Sequence, residues 1–258
     1  MKVAGKVCVV TGGASGIGRA LCERFSADGA AGVVVVDRNA TGAAMVAEEI
    51  GGLAVACDIG SEAEVNDMVA RANERYGRID VLCNNAGIAN DEDYLGGSVD
   101  PWHQQWAVNV MGQVYSTRAV LPQMLERGQG YLLHTASMAG LLTSVGQAAY
   151  AATKSAVVAL AEWLSITYGR RGIEVFLLAP IGVDTPMLAG TSKLLREIGP
   201  VVTPADVARM VTDAFAEGRF LTFTDPVAER WLAGKAADRA GWIAGMRKLN
   251  DLLESTTA

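Results

Sequence analysis

The four cysteines, Cys8, Cys22, Cys57 and Cys83, form no CxxC pair and no metal-ligand spacing. That excludes a zinc knuckle or a dithiol redox motif and leaves small buried hydrophobes as the plain reading. Reduced thiols suit a cytoplasmic protein. No run of eighteen apolar residues occurs, so no membrane span is expected. Met1–Val10 is too short, and runs too soon into Gly12-Gly13, to read as a signal peptide. Lys and Arg are dispersed and the net charge is −6, so a nucleic-acid surface is not expected. No repeat, low-complexity segment or linker divides the chain.

What is present is an ordinary globular composition: 258 residues, 50% apolar and 19% charged, with a mean hydropathy of +0.22. Short β-branched runs alternate with helical stretches. Strands are expected at Val7–Val10, Val33–Val36, Leu53–Cys57, Ile79–Cys83, Tyr131–Thr135, Glu174–Ala179 and Arg219–Thr222. The most continuous of these read as strands buried on both faces of a sheet. Helices are expected at Gly16–Asp28, Glu62–Tyr76, Pro101–Glu126 and Gln147–Arg170. Asp100-Pro101 and Thr203-Pro204-Ala205-Asp206 each read as an N-cap followed by proline at the first helical position. The alternation predicts one α/β domain, a doubly wound parallel sheet. Residues from about 186 to 258 would add a substrate lid, a last helix and strand, and a C-terminal tail.

The first strand runs into Thr11-Gly12-Gly13-Ala14-Ser15-Gly16-Ile17-Gly18, where a helix opens. Glycines there let backbone approach a pyrophosphate, and the helix N-terminus supplies N–H donors. Asp37 ends the second strand, placed to accept hydrogen bonds from adenosine ribose hydroxyls and to repel a 2′-phosphate. NAD is therefore favoured over NADP. A helix N-cap is the alternative role for Asp37, and the adjacent Arg38 could tolerate a phosphate. Tyr150 and Lys154 are four apart in a helical stretch and share one face. A phenol is a weak base at neutral pH, and a nearby ammonium brings it toward its working range.

Taken together these motifs resemble the classical short-chain dehydrogenase/reductase family, closely over residues 5 to about 190. Its cofactor turn corresponds to Thr11, Gly12, Gly16 and Gly18, and its adenine-pocket acid to Asp58, followed by Ile59. Its Asn-Asn-Ala-Gly segment is Asn84-Asn85-Ala86-Gly87, its asparagine Asn109 and its serine Ser137, 13 residues before Tyr150. The resemblance implies a Rossmann-type fold with a seven-stranded parallel sheet, and a homotetramer or homodimer formed through the long helices. It implies a small-molecule substrate, NAD as cofactor and no metal. Ser137 would bind the substrate oxygen, Tyr150 would exchange its proton, and Lys154 would hold the nicotinamide ribose and depress the phenol. Asn109 would anchor a relay water. Ser15, Ile17, Asn85, Ala86, Gly87, Pro180, Val183 and Thr185 would complete the cofactor site. A non-catalytic NAD-binding scaffold or sensor is the alternative.

Two departures stand out. Ile181 replaces the family's glycine in Pro180-Ile181-Gly182-Val183-Asp184-Thr185, and His134 stands where the family often has asparagine. His134 is read as a packed, satisfied core residue. Leu141, Leu142, Val145, Met187, Leu188, Leu194, Leu195 and Ile198 would line an apolar pocket, or simply pack a lid. Gln147 would add a polar contact beside the reacting oxygen, a Gln–Tyr spacing also found in the family's hydroxyprostaglandin dehydrogenases. Trp231, Trp242, Ile243, Met246 and Leu249 follow a broadly helical pattern that either closes over the pocket or packs on a neighbouring subunit.

Overall fold

The computed structural model describes residues 1–90, 94–189 and 201–257. The apolar runs become the strands β1 (Val7–Thr11), β2 (Gly32–Asp37), β3 (Leu53–Ala56), β4 (Val81–Asn84), β5 (Gly130–Thr135), β6 (Ile173–Ala179) and β9 (Leu221–Phe223). They form one sheet in the order β3-β2-β1-β4-β5-β6-β9, every neighbouring pair parallel. Alternation along each strand builds a core on both faces. Val9, Val34, Val36, Leu82 and Leu132 face one side, and Cys8, Val10, Val33, Val35 and Cys83 the other. The first side is covered by α3 (Glu62–Tyr76), α5 (Gly112–Arg127) and α7 (Ala148–Tyr168). The second is covered by α1 (Gly16–Ala27), α2 (Ala40–Ile50) and α9 (Pro204–Glu217). All four cysteines are free and buried.

Strand order reverses between β1 and β4, which opens a crevice beyond their carboxyl ends. The glycine-rich turn after β1, Asp37, Asn85, Ala86, Gly87, Ser137, Tyr150 and Lys154 lie at that edge.

Several boundaries differ from expectation, each for a local reason. The stretch expected as one helix from Pro101 to Glu126 is α4 (Asp100–Trp106), a π-helical segment Ala107–Met111, then α5. Asp100 is the first residue of α4 rather than its cap; Val99 precedes it, and the Asp100 N–H donates to Ser98 Oγ. Thr203 does cap α9, accepting from Asp206 N. Ile79 lies outside β4 because its N–H is taken by Gln123 Oε1. Arg219 lies outside β9, its guanidinium turned to Glu217. A small parallel pair, β7 (Gly182–Val183) and β8 (Val201–Val202), was not expected from the sequence. Short helices α6 (Met138–Leu142) and α8 (Pro186–Ala189) follow β5 and β7, and the chain finishes in α10 (Val227–Ala237) and α11 (Arg239–Thr257). Among the described residues no helix is long and apolar enough to cross a membrane.

Candidate active site

A cleft of about 700 Å³ runs along the carboxyl edge of the sheet. Of the residues singled out in the sequence, Gly12, Ser15, Gly16, Ile17, Asp37, Asp58, Ile59, Asn85, Ala86, Gly87, Ser137, Gln147, Tyr150, Lys154, Pro180, Val183 and Thr185 all border it. Gly18 and Asn109 do not; they sit behind its wall.

At one end the turn after β1 opens α1. Ser15 is the N-cap, and no side chain caps the helix, so its first N–H groups face the cleft end. Gly16 has φ +52°, a left-handed conformation that favours glycine. Gly12 and Gly18 serve internal packing: a Cβ on Gly12 would stand 2.9 Å from Ala86 Cα, and one on Gly18 2.0 Å from Gly12 O. Thr11 stitches the turn to the exit of β4, its hydroxyl donating to Cys83 O and accepting from Asn85 N and Ala86 N. Asn85 Nδ2 donates back to Thr11 O.

Asp37 is held by two backbone donors, Ala14 N at 3.1 Å and Asn39 N at 2.9 Å. It is not the cap of α2; Asn39 is, accepting from Gly42 N. Arg38 is exposed and also borders the cleft. Asp58 accepts from Gly60 N, and its own N–H donates to Glu64 Oε2.

At the other end Ser137 caps α6, accepting from Ala139 N, and borders the cleft together with Tyr150. Lys154 is buried; its ammonium donates to Thr135 O at 2.9 Å and lies 5.6 Å from the centre of the Tyr150 ring. Burial pushes the Lys154 amine down to about 8. Burial raises the Tyr150 phenol, while the neighbouring Ser137 hydroxyl pulls it the other way. The net depression expected from Lys154 is not seen, because desolvation dominates the phenol. Gln147 caps α7 rather than lying within it, and its Oε1 accepts from the Ser144 hydroxyl.

Asn109, in the π segment, has its side chain fully engaged. Oδ1 accepts from Ile88 N at 2.8 Å, and Nδ2 donates to Ile88 O and Thr153 Oγ1. It thereby ties the loop after β4 to α7, one residue from Lys154. Thr153 went unremarked in the sequence, since nothing local marks it.

His134 is packed but only half satisfied. Nδ1 is 2.7 Å from Gln113 Oε1, whereas Nε2 and Gln113 Nε2 have no partner among the described residues. Ile181 keeps a negative φ, so the glycine it replaces is not needed for backbone conformation here. Leu142, Val145, Met187 and Leu188 border the cleft; Leu141 instead packs into the core. Leu194, Leu195 and Ile198 lie outside the described residues. The tail resolves toward the cleft, with Trp231, Trp242, Met246 and Leu249 on its wall. Among the described residues no group of three His, Cys, Asp or Glu side chains could hold a metal ion.

Residues 6–194 match the family described as short chain dehydrogenase. A 2,5-dichloro-2,5-cyclohexadiene-1,4-diol dehydrogenase, LinX, of Sphingobium indicum is 32% identical over 247 residues, covering 90% of this chain and 98% of that protein. A 1-deoxy-11-beta-hydroxypentalenate dehydrogenase of Streptomyces exfoliatus is 36% identical over 229 residues, covering 85% and 83%. Among solved structures, a short chain dehydrogenase/reductase of Burkholderia phymatum in complex with NAD superposes with a TM-score of 0.83 at 28% identity, covering 92% and 95%. A 3-ketoacyl-(acyl-carrier-protein) reductase of Brucella melitensis complexed with NADH gives 0.78 at 33% identity, covering 88% and 93%.

Proposed function

From the premise that the chain belongs to the short-chain dehydrogenase family and is one of its oxidoreductases, we propose that it interconverts a secondary alcohol and a ketone with NAD. The observation that carries this is the meeting of Ser137, Tyr150 and Lys154 in one cleft with an uncapped helix N-terminus at its far end. Two solved relatives hold NAD or NADH, which supports a nicotinamide cofactor.

The residues present fit such a dinucleotide. Gly16 and the open first turn of α1 offer N–H donors to a pyrophosphate. Asp37, already oriented by Ala14 N and Asn39 N, keeps free lone pairs for ribose hydroxyls. Asp58 and Ile59 would flank the adenine, and Asn85, Ala86 and Gly87 the middle of the cofactor. Pro180, Val183 and Thr185 would meet the nicotinamide end. When bound, NAD would supply a hydride acceptor.

The protein's part is proton handling and orientation. Ser137 fixes the substrate oxygen by hydrogen bond. Tyr150 takes the hydroxyl proton in oxidation and returns it in reduction. Lys154, anchored on Thr135 O, stabilises the phenolate and reaches the ribose. Asn109 acts through position, holding the Ile88 loop against α7. Because burial keeps the phenol protonated, alcohol oxidation should rise with pH and ketone reduction should fall.

The substrate we propose is apolar. Among the described residues the only charged side chains bordering the cleft are Asp37, Arg38 and Asp58 at the cofactor end, and Lys154. One relative is named for a cyclohexadiene diol, an uncharged ring alcohol. The same reading makes the protein a cytoplasmic homotetramer or homodimer, with α5 and α7 at the interface.

The test is NADH formation with grouped secondary alcohols. Wild type should turn over at least one group, and Tyr150→Phe should lose roughly 10²-fold or more in turnover with NAD affinity nearly unchanged. Wild-type activity in that variant would reject the assignment.

A further inference from the structure

The tail is amphipathic in an uncommon way, because both of its faces meet a hollow. On one side Trp231 of α10 and Trp242, Met246 and Leu249 of α11 border the catalytic cleft. The last three recur at helical spacing and share a face. A second hollow of about 520 Å³ adjoins the cleft across Trp242 and Met246, which border both, and it is otherwise lined from the tail by Lys235, Arg239, Ile243, Arg247, Asn250 and Asp251. Among the described residues every charged tail side chain on a cavity borders only that second hollow, and every tail side chain on the cleft is apolar.

The tail is also tied to the catalytic segment. Trp242 Nε1 donates to Leu142 O at 3.3 Å, and Lys235 Nζ donates to Leu141 O. Both carbonyls belong to α6, which Ser137 caps. Apolar contact among Met138, Leu142, Ala179, Ala228, Trp231 and Trp242 completes the joint. The wall presented to the substrate therefore has a fixed position relative to the Ser137 hydroxyl.

We infer that α10 and α11 are the specificity wall of the cleft: Trp231, Trp242, Met246 and Leu249 receive a bulky alicyclic carbon skeleton and present its oxygen-bearing carbon to Ser137 and Tyr150. This rests on the oxidoreductase reading above. Two indoles offer broad, rigid apolar faces, which suit a rigid ring better than a flexible polar chain. Met246 adapts to the remaining gap. A carboxylate or phosphate on the substrate would find no cation on this wall and would lose its hydration.

Two measurements separate this inference from the proposed reaction. The first is kcat/KM with NADH for 2-butanone, cyclohexanone and 2-decalone. It should climb along the series in wild type, and Trp242→Ala should cut the 2-decalone to 2-butanone ratio at least tenfold. The second needs no turnover. In Tyr150→Phe protein, the uncharged fluorophore Nile red should bind in the cleft and be displaced by 2-decalone. Adding Trp242→Ala, or Met246→Lys as an independent surface-reaching change, should weaken that displacement at least tenfold while NADH affinity confirms the fold. A flat ketone series, or displacement as tight with Trp242→Ala and with Met246→Lys as without them, would overturn the inference. Wild type that reduces none of the ketones, yet shows the expected displacement, would leave the wall standing and remove the proposed reaction.

Discussion

Asp37 accepts from Ala14 N and Asn39 N, so its carboxylate cannot swing away from the end of β2. A phosphate on the ribose would meet a fixed negative charge. NAD should therefore bind at least about tenfold more tightly than NADP, roughly 1.4 kcal/mol. Asp37→Asn keeps the shape, removes the charge and should narrow that gap. Fluorescence titration of both oxidised cofactors measures it, and equal wild-type affinities would reject the claim. His134 gives a second prediction at this scale. Burial pushes its imidazole down from 6.5 to about 4. The unfolded chain binds a proton between those values while the folded chain does not. The stability is thus fully present above pH 6.5 and is lost as pH falls toward 4. Linkage puts the loss between pH 7 and pH 5 at about 2 kcal/mol. His134→Asn keeps a donor for Gln113 Oε1 and should remove that part of the slope. Urea unfolding of both proteins at the two pH values decides it; parallel slopes would mean that His134 is not the sensor. The orphaned Nε2 of His134 and Nε2 of Gln113 are polar atoms of the kind that bound water satisfies.

Among elements, α6 and the turn after it carry the strain. Thr143 has φ 74° and ψ 172°, the one left-handed non-glycine among the described residues. Such a conformation costs on the order of 1–3 kcal/mol. It lies directly after the two carbonyls that the tail grips and four residues before the cap of α7. Thr143→Gly removes the strain and adds roughly 0.5–1 kcal/mol of unfolded-chain entropy. The net should be stabilising by about 1 kcal/mol, a rise of about 2–4 °C in Tm for a chain of this size. Calorimetry measures it, and a fall in Tm would show that the threonine side chain holds the turn. The π segment at Asn109 is a second element that departs from plain helix. Its wider turn, closed by Gly112 N on Ala107 O, sits where Asn109 reaches both Ile88 and Thr153.

Over the whole molecule, the core is closed on both sheet faces, but apolar side chains remain outside. Trp106 is 44% exposed, Trp163 54% and Ile166 82%. The latter two belong to α7, and Trp106 ends α4, which packs beside it. These side chains would lie at the α5–α7 interface proposed above. Light scattering should give a multiple of 27.0 kDa, and Trp163→Glu with Ile166→Glu should shift it toward the single chain. A monomeric wild type would reject association through this face.

Much of this protein was legible in sequence because the physics involved is local. Short, nearly continuous β-branched runs fix strands, a glycine-rich turn fixes the opening of α1, and a spacing of four sets Tyr150 and Lys154 on one face. The order of motifs then names the family and with it the sheet. What tertiary structure decided is non-local. The sign of the balance on the Tyr150 phenol depends on how much water its neighbours exclude. Leu141 turned into the core while Leu142 kept the cleft, because α6 is too short for periodicity to choose its face. Asn109 was taken up by Ile88 and Thr153, partners 21 and 44 residues distant. The same holds for the tail: Trp231 and Trp242 read as helical, but only packing against α6 brought them to the cleft. A helix's apolar stripe records that it buries something; the partner comes from the rest of the chain.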